Sequence, residues 1–281
     1  MFPSNASQLK WKERIKLASQ MPERLCPYCS QPVKSLSNPL DLCDACFANI
    51  PWITDVHCKV CGRAEDCPDC RREFKRYFRM SRSAVRYDPK MKEMLALYKY
   101  RGDERLAELM GKMLVHSYHK LLLACTEKGT PDAIMSSIIS RKRTGKGKGA
   151  PFFDCITYVP VSEERLLDRG FNQAEQMALE LAKWVNLPVI PLLCRIRSSQ
   201  KQSFKTREER LKDMKGIFAP DEPGFTRLSG LTHLQNPVSQ PRSLRILLID
   251  DVYTTGSTLN QCSSILSANG DIEVYGLTWA R

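Results

Sequence analysis

The chain lacks any long apolar run. Within its 281 residues, no stretch approaches the roughly 20 apolar residues that a helix needs to cross a bilayer. The first residues, Met-Phe-Pro-Ser-Asn-Ala-Ser, also lack the charged and apolar regions of a secretion signal. The sequence therefore predicts a cytoplasmic protein, with enough residues for one sizeable domain and a smaller appendage.

A nucleotide-binding P-loop is also missing. The stretch Arg141 to Gly149 is rich in lysine and glycine, but no Gly-Lys-Ser/Thr follows the required four-residue gap and no strand precedes it. We interpret residues 127–150 as a flexible basic insertion.

Acidic residues are too few to balance the basic ones. The chain has 43 lysines and arginines against 31 acidic residues, a formal net charge of +12. This surplus favours a polyanionic partner, and an ordinary solvated basic surface is the alternative. Residues 1–24 form a basic N-terminal arm, interpreted either as a short helix or as a contact with nucleic acid or a membrane surface.

Cysteine, by contrast, is abundant. Eight of the twelve cysteines form four Cys-x-x-Cys pairs: Cys26, Cys29, Cys43, Cys46, Cys58, Cys61, Cys67 and Cys70. Without a secretion signal, such pairs are more often zinc ligands than disulfides, because two thiolates two residues apart fit one face of a tetrahedral ion. Large aliphatic residues are scarce between the pairs, so metal must supply much of the folding energy.

The number of structural zinc ions, one or two, depends on how the pairs combine. Sequential pairing gives two four-cysteine sites. Interleaved pairing is the alternative, since the gap from Cys61 to Cys67 is short for a closed site. His57 could replace a ligand, although a surface histidine is the commoner role. The other four cysteines are predicted to be buried small side chains.

The segment from Arg245 to Leu259 combines acids, hydroxyls and one glycine. Its apolar part, Ile246 to Ile249, predicts a strand buried in a parallel sheet. Asp250 and Asp251 then lie at the carboxyl end of this strand, where open α/β sheets bind ligands. The following residues, which we call the phosphate loop, offer hydroxyls and backbone N–H groups at the start of a helix. They are Thr254, Thr255, Gly256, Ser257 and Thr258.

Strands alternate with helices from Met80 onward. This order predicts an α/β fold with a mostly parallel sheet and helices on its faces. We divide the chain into the arm at 1–24, a cysteine-rich zinc-binding module at 25–78 and an α/β domain at 79–281. The domain carries insertions at 127–150 and 220–243, and the second is predicted to be a loop because it is rich in Pro, Gly, Ser and Asn.

Three earlier segments carry cations that could approach an anionic ligand. Lys99 lies beside a turn between two predicted helices, and Arg169 precedes a helix for which Asn172 is a reasonable N-cap. Arg207 and Arg210 belong to a cation-rich segment near residues 200–210. That segment is either a mobile lid or a solvated helix face.

The order of strand, two acids, hydroxyl-rich loop and helix resembles the phosphoribosyl pyrophosphate (PRPP) motif of type I phosphoribosyltransferases. In that family the two acids hold the ribose hydroxyls and the loop wraps the 5′-phosphate. The resemblance implies a type I phosphoribosyltransferase-like domain at 79–281, with Asp250 and Asp251 as the catalytic acids.

Further motifs resemble the ComF family of late competence proteins in both content and order. They are the Cys-x-x-Cys pairs, Tyr98-Lys-Tyr-Arg-Gly-Asp103, Val159-Pro-Val161, Arg169-Gly-Phe-Asn-Gln173, the region from Gln202 to Arg210 and Asp250-Asp-Val-Tyr-Thr-Thr-Gly-Ser257. The similarity runs from Leu25 to Arg281 and departs from the family at the two insertions.

This second resemblance implies a zinc-binding N-terminal segment, binding of single-stranded DNA during uptake of transforming DNA, and a ComFA-type ATPase as partner. Independently of the family, we expect PRPP to bind together with Mg²⁺ at the phosphate loop and at further residues, namely Lys99, Arg169, Asn172, Gln173, Arg207 and Arg210. Such a protein would act in the cytoplasm, or at the inner face of the membrane through a DNA-uptake complex.

Two functional hypotheses stay open at this point. The first is a competence protein that acts on transforming single-stranded DNA and keeps a PRPP site with or without turnover. The second is an active phosphoribosyltransferase of nucleotide salvage or with another acceptor. Positioning and electrostatics would dominate catalysis in the second case, because departing pyrophosphate leaves an oxocarbenium-like ribose.

Overall fold

A computed structural model describes residues 24–33, 38–71, 75–101, 104–126, 151–197, 216–235 and 242–281. The helices are α1 (Asp44–Ala48), α2 (Pro68–Arg71), α3 (Pro89–Arg101), α4 (Glu104–Cys125), α5 (Glu163–Arg169), α6 (Gln173–Val185), α7 (Glu222–Gln235) and α8 (Ser257–Ala268). The strands are β1 (Phe78–Val85), β2 (Cys155–Tyr158), β3 (Leu193–Arg195), β4 (Phe218–Pro220), β5 (Leu244–Val252) and β6 (Ile272–Ala280).

The chain divides into two compact units, Met1–Asn49 and Ile50–Arg281. The described part of the first unit contains one short helix, α1, which begins after Cys43. Asn38 closes the preceding turn, because its Oδ1 accepts hydrogen bonds from the backbone N–H groups of Leu40 and Leu42, each at 3.2 Å.

The second unit is built on a four-stranded sheet in the order β1-β6-β5-β2. All three strand pairings in this sheet are parallel, so the predicted parallel α/β sheet is confirmed. Strand β5 is apolar on both faces, as its buried run from Ile246 to Ile249 shows. The short strands β3 and β4 form a separate antiparallel pair.

Helices cover both faces of the sheet. On one face α4 packs against β1 and β6, and α6 packs against β2 and β5. Trp279 of β6 is fully buried there, and its Nε1 lies 3.4 Å from Sδ of Met113. On the other face α8 packs against β6, β1 and β5. The carboxyl ends of the parallel strands therefore meet at one edge between the two helix layers.

The predicted loop over residues 220–243 is wrong for much of its length, because α7 lies inside it. Oδ2 of Asp221 accepts a hydrogen bond from the backbone N–H of Gly224 at 2.8 Å and so caps the helix start. Leu228 is buried in the core, and Phe225 packs against the same cluster. Apolar residues at three-residue spacing thus outweigh the low helix propensity of proline and glycine.

Residues 188–194 form a strand only in part. Val189 makes an isolated parallel bridge to Ile156, and β3 begins at Leu193. One face of α3 packs into the core, since Met94 and Tyr98 are almost completely buried. Across the described residues, none of the helices is both long and apolar enough to span a membrane.

Candidate ligand site and cysteine clusters

Asp250 and Asp251 lie at the carboxyl end of β5, as predicted. Asp250 is paired in register with Thr278 of the neighbouring strand β6. The backbone N–H of Asp251 donates to Oδ1 of Asp250 at 2.9 Å, and the N–H of Val252 donates to Oδ1 of Asp251 at 2.7 Å. These bonds fix both carboxylates at the edge where the sheet ends.

Two side chains from other elements contact Asp251, and a third is linked to it through one of them. Nζ of Lys99, near the end of α3, forms an ion pair with Oδ2 of Asp251. Nε2 of Gln173, at the start of α6, donates to the same oxygen at 3.0 Å. Arg169 extends the network, because its Nη1 donates to Oε1 of Gln173 at 3.1 Å. Residues far apart in sequence are thus joined in one polar network.

The two neighbouring carboxyls differ in their pKa values. Burial, together with the charge of Asp251, raises the pKa of Asp250 to about 8. Burial alone would also raise the pKa of Asp251, but the Lys99 ammonium and the Gln173 amide outweigh it and lower that pKa below its usual range. At neutral pH the pair therefore holds one ionised carboxylate and one carboxyl that is mostly protonated.

Arg195 of β3 is a functional candidate that the sequence reasoning missed. Its charge acts to lower the pKa of Asp250, against burial and the Asp251 charge, and its guanidinium carbon lies 5.5 Å from the centre of the Phe218 ring. Burial lowers the pKa of Arg195 itself. It belongs to no motif, so only the tertiary fold reveals that its charge acts on Asp250.

The phosphate loop connects β5 to α8. Gly256, the N-cap residue of α8, is in the left-handed region with φ of 78° and has no side chain to cap the helix. Oγ1 of Thr255 accepts a hydrogen bond of 3.4 Å from the N–H of Ser257. Oγ1 of Thr255 and Oγ of Ser257 lie 2.5 Å apart. The first turn of α8 therefore presents backbone N–H groups beside two hydroxyls, which is an arrangement suited to a phosphate group.

Asn172 has a clear structural task. Its Oδ1 accepts hydrogen bonds from the backbone N–H groups of Ala174 and Glu175, so it is the predicted N-cap of α6. Its Nδ2 donates to the carbonyl oxygen of Val159 at 3.1 Å. Gly170 also has a folding role, because it ends α5 with φ of 78°.

Two of the predicted cations, Arg207 and Arg210, lie outside the described residues, as do residues 1–23 of the arm and the insertion at 127–150.

A cavity of about 750 Å³ opens beside Arg169. Tyr98 and Phe171 line it, with their ring centres 5.1 Å apart. Of the network around Asp251 only Arg169 lines this cavity, and neither aspartate nor the phosphate loop does, so the cavity lies next to the network and not at the acids.

The eight paired cysteines form two separate groups of four. The first cluster is Cys26, Cys29, Cys43 and Cys46, and the second cluster is Cys58, Cys61, Cys67 and Cys70. Within each cluster the ligand atoms all lie within 4.8 Å of one another. The sequential pairing is therefore the arrangement found, and His57 belongs to neither group.

The spacing of the sulfur atoms fits tetrahedral zinc. Sγ of Cys29 lies 3.7 Å from Sγ of Cys43, and Sγ of Cys61 lies 3.5 Å from Sγ of Cys67. Zinc–sulfur bonds of about 2.3 Å in a tetrahedron place the sulfurs about 3.8 Å apart. The two four-cysteine clusters are thus compatible with structural zinc.

Similar backbone turns shape the first pair of each cluster. The N–H of Ser30 donates to the carbonyl of Cys26, and the N–H of Gly62 donates to the carbonyl of Cys58. Both turns end in a left-handed residue, with φ of 59° at Ser30 and 73° at Gly62. Each Cys-x-x-Cys pair is thereby folded into a tight turn that directs both thiols to one point.

The chain was compared with known proteins. No protein-family model matches it. It is 27% identical over 238 residues to competence protein ComFC of Bacillus subtilis, covering 82% of this chain and 79% of that protein. It is 26% identical over 242 residues to competence protein ComFC of Streptococcus pneumoniae, covering 84% and 86% respectively.

The predicted family resemblance is confirmed. The chain is a homologue of the ComF-family competence proteins. A shorter match, 29% identical over 126 residues, joins it to the DNA utilization protein YhgH of Salmonella typhi and covers 44% of this chain and 48% of that protein.

The pKa shifts of the two acids predict opposite effects of pH on stability. Because the pKa of Asp250 is raised in the folded state, the folded protein holds a proton there that the unfolded chain has already lost. The stability that this protonated carboxyl contributes is therefore present at low pH and is lost between about pH 4 and 8. We expect Asp250→Asn to match the wild type near pH 4 and to exceed its melting temperature at pH 9. A gain of about 1 kcal/mol would raise that temperature by about 2–4 °C.

Asp251→Asn is the matched comparison, measured by the same thermal unfolding series from pH 3 to 9. Its carboxylate stabilises the fold above the usual pKa of an aspartate, so the variant should be the less stable protein at pH 7 and approach the wild type as pH falls. Parallel curves for the two variants would contradict the assignment of the charges.

The cysteine geometry predicts two zinc ions in each purified chain. Cys43→Ser and Cys67→Ser should each lower the zinc content to about one, because each removes a ligand from a different cluster. Metal is measured by mass spectrometry, with Cys155→Ser, a buried cysteine outside both clusters, as the control. Loss of both ions from either single variant would contradict two independent sites.

Proposed function

We propose that the protein acts in DNA uptake or utilisation and binds PRPP with Mg²⁺ at the edge formed by β5 and α8. The observation that carries the PRPP part is the network of Arg169, Gln173, Asp251 and Lys99, together with the N-terminus of α8 that directly follows the two acids in the chain. It brings acceptors for sugar hydroxyls, donors for a phosphate and cations for a second anionic group to one edge of the sheet.

Different residues bind different parts of the proposed ligand. The phosphate loop binds the 5′-phosphate through backbone N–H groups and hydroxyls. Asp251 accepts hydrogen bonds from the ribose hydroxyls, and Asp250, mostly protonated at neutral pH, is able to donate one. Lys99 and Arg169 would neutralise the charge of the pyrophosphate, and Arg207 and Arg210 are proposed to join them.

Magnesium fits this set of groups. Oxygen atoms are its preferred ligands and it keeps several waters, which the carboxylate of Asp251 can hold. The ion would supply charge neutralisation for the pyrophosphate. The residues of the chain orient the sugar, and the burial of the acids strengthens their electrostatic effect on a cationic ribose.

A role in DNA handling is supported by the relatives, which are named as competence and DNA utilization proteins. The net charge of +12 fits a nucleic-acid partner. We propose single-stranded DNA as that partner, with a ComFA-type ATPase in the same uptake complex, at the inner face of the cytoplasmic membrane.

Calorimetric titration of PRPP in the presence of Mg²⁺ tests the ligand. We expect measurable binding to the wild type and at least about tenfold weaker binding to Asp251→Asn, equivalent to about 1.4 kcal/mol, because the variant loses the acceptor for the sugar and the partner of Lys99. Asp271→Asn, an exposed aspartate before β6, should bind as the wild type does. Absence of binding to the wild type would refute the PRPP site.

Fluorescence anisotropy with a labelled oligonucleotide tests the nucleic-acid partner. Affinity for single-stranded DNA should fall by tenfold or more between about 50 and 200 mM salt, because binding to a basic protein releases counterions from the phosphates. A duplex of the same length is the comparison. Undetectable binding at low salt, or equal preference for the duplex, would contradict a protein that acts on single strands.

A further inference from the structure

Tyr253 lies directly beneath the phosphate loop. It follows β5 and is 6% exposed, and its backbone N–H donates to the carbonyl of Ala280 at 2.9 Å. A Cβ atom at Gly256 would lie 2.2 Å from the Tyr253 hydroxyl. The ring therefore fills the space under Gly256, and the left-handed turn of the loop rests on it.

The opposite side of the Tyr253 ring faces the second cluster. The guanidinium carbon of Arg281 lies 4.5 Å from the ring centre, and Nη1 of Arg281 donates to the carbonyl oxygen of Cys61. Cys61 and Cys67 are buried in the same hydrophobic cluster as Tyr253 and Leu259. One contact path thus runs from a cysteine ligand, through Arg281 and Tyr253, to the loop.

A second path reaches the loop through Asn260, in the first turn of α8. Oδ1 of Asn260 accepts from the backbone N–H of Tyr77 at 2.9 Å, and its Nδ2 donates to the carbonyl of Lys75 at 3.1 Å. Between these residues, Nη2 of Arg76 donates to the carbonyl of Cys70 at 3.3 Å. The segment that follows the last cysteine is therefore bonded to the helix that begins at the loop.

We propose that the second cluster supports the phosphate loop. Metal bound by its four cysteines fixes the position of the loop, and metal binding is therefore coupled to anion binding at the loop. A bound ion would hold the backbone of Cys61 and Cys70 in place, and both paths start from these carbonyls. Without metal the four thiols have no common partner, and Tyr253 and Asn260 lose fixed anchors. The coupling is reciprocal, because a ligand that prefers the ordered loop also prefers the metal-bound cluster.

The first cluster supplies a matched control, since it has the same chemistry but belongs to the other compact unit. Hydrogen exchange of the full chain, followed by mass spectrometry, reports on peptides that cover residues 250–260. We expect exchange there to be at least tenfold faster in Cys67→Ser than in the wild type and within twofold of the wild type in Cys43→Ser. Equal protection in the two variants would overturn the proposal.

The measurement of PRPP binding rests on the proposed function, whereas the hydrogen-exchange measurement does not. PRPP with Mg²⁺ should bind at least tenfold more weakly to Cys67→Ser and within twofold of the wild type to Cys43→Ser. If the wild type binds no PRPP, the proposed function fails and the exchange result still decides the coupling. If PRPP binds all three proteins equally, the coupling fails and the proposed function stands.

Tyr253→Leu tests the path itself and replaces Cys67→Ser if that variant does not fold. It should weaken PRPP binding and speed zinc release to a chelator, both at least fivefold, when measured in the Cys43→Ser background where the second cluster holds the zinc. Tyr275→Leu, a tyrosine of similar burial in β6, is the control. Unchanged zinc release from the Tyr253 variant would refute the path through this ring.

Discussion

Two adjacent carboxyl groups are buried at the end of a central strand, and several other elements of the structure supply partners for them. A charge removed from water is costly unless a partner compensates it. Lys99, Gln173 and Arg195 come from three different elements and lie near one or the other acid. The positions of α3 and α6 relative to β5 thus compensate the buried charge of Asp251, whereas burial and that charge keep Asp250 mostly protonated, against the opposing effect of Arg195.

The parallel sheet makes this convergence possible. Its strand ends meet at one edge, and the α4 and α6 layer contributes the cationic and amide partners there. The α8 layer contributes the loop and, beneath it, the second cysteine cluster. The two clusters have the same four ligands, yet the second is part of a hydrophobic core. Identical coordination chemistry can therefore serve different mechanical roles in one chain.

The features that depend on neighbours in sequence could be predicted. The strand β5, the two acids, the phosphate loop, the N-cap at Asn172 and the two sets of cysteines are all local patterns, and the structure contains them. The helix α7 could not be predicted, because burial of Leu228 against the core overrides its proline and glycines. Arg195 and Tyr253 escaped notice for a related reason, since their importance lies in contacts that only the tertiary fold creates.

The different charges of Asp250 and Asp251 affect how an anionic ligand would approach them. At pH 7 the charge of Asp251 is matched by Lys99, and the raised pKa of Asp250 leaves that carboxyl mostly uncharged. An edge that carries two aspartates is therefore close to electrically neutral before any ligand binds. A multiply charged sugar phosphate therefore meets little repulsion from the acids that would hold its hydroxyls. The N-terminus of α8 and the guanidinium of Arg169 are the groups that would attract it.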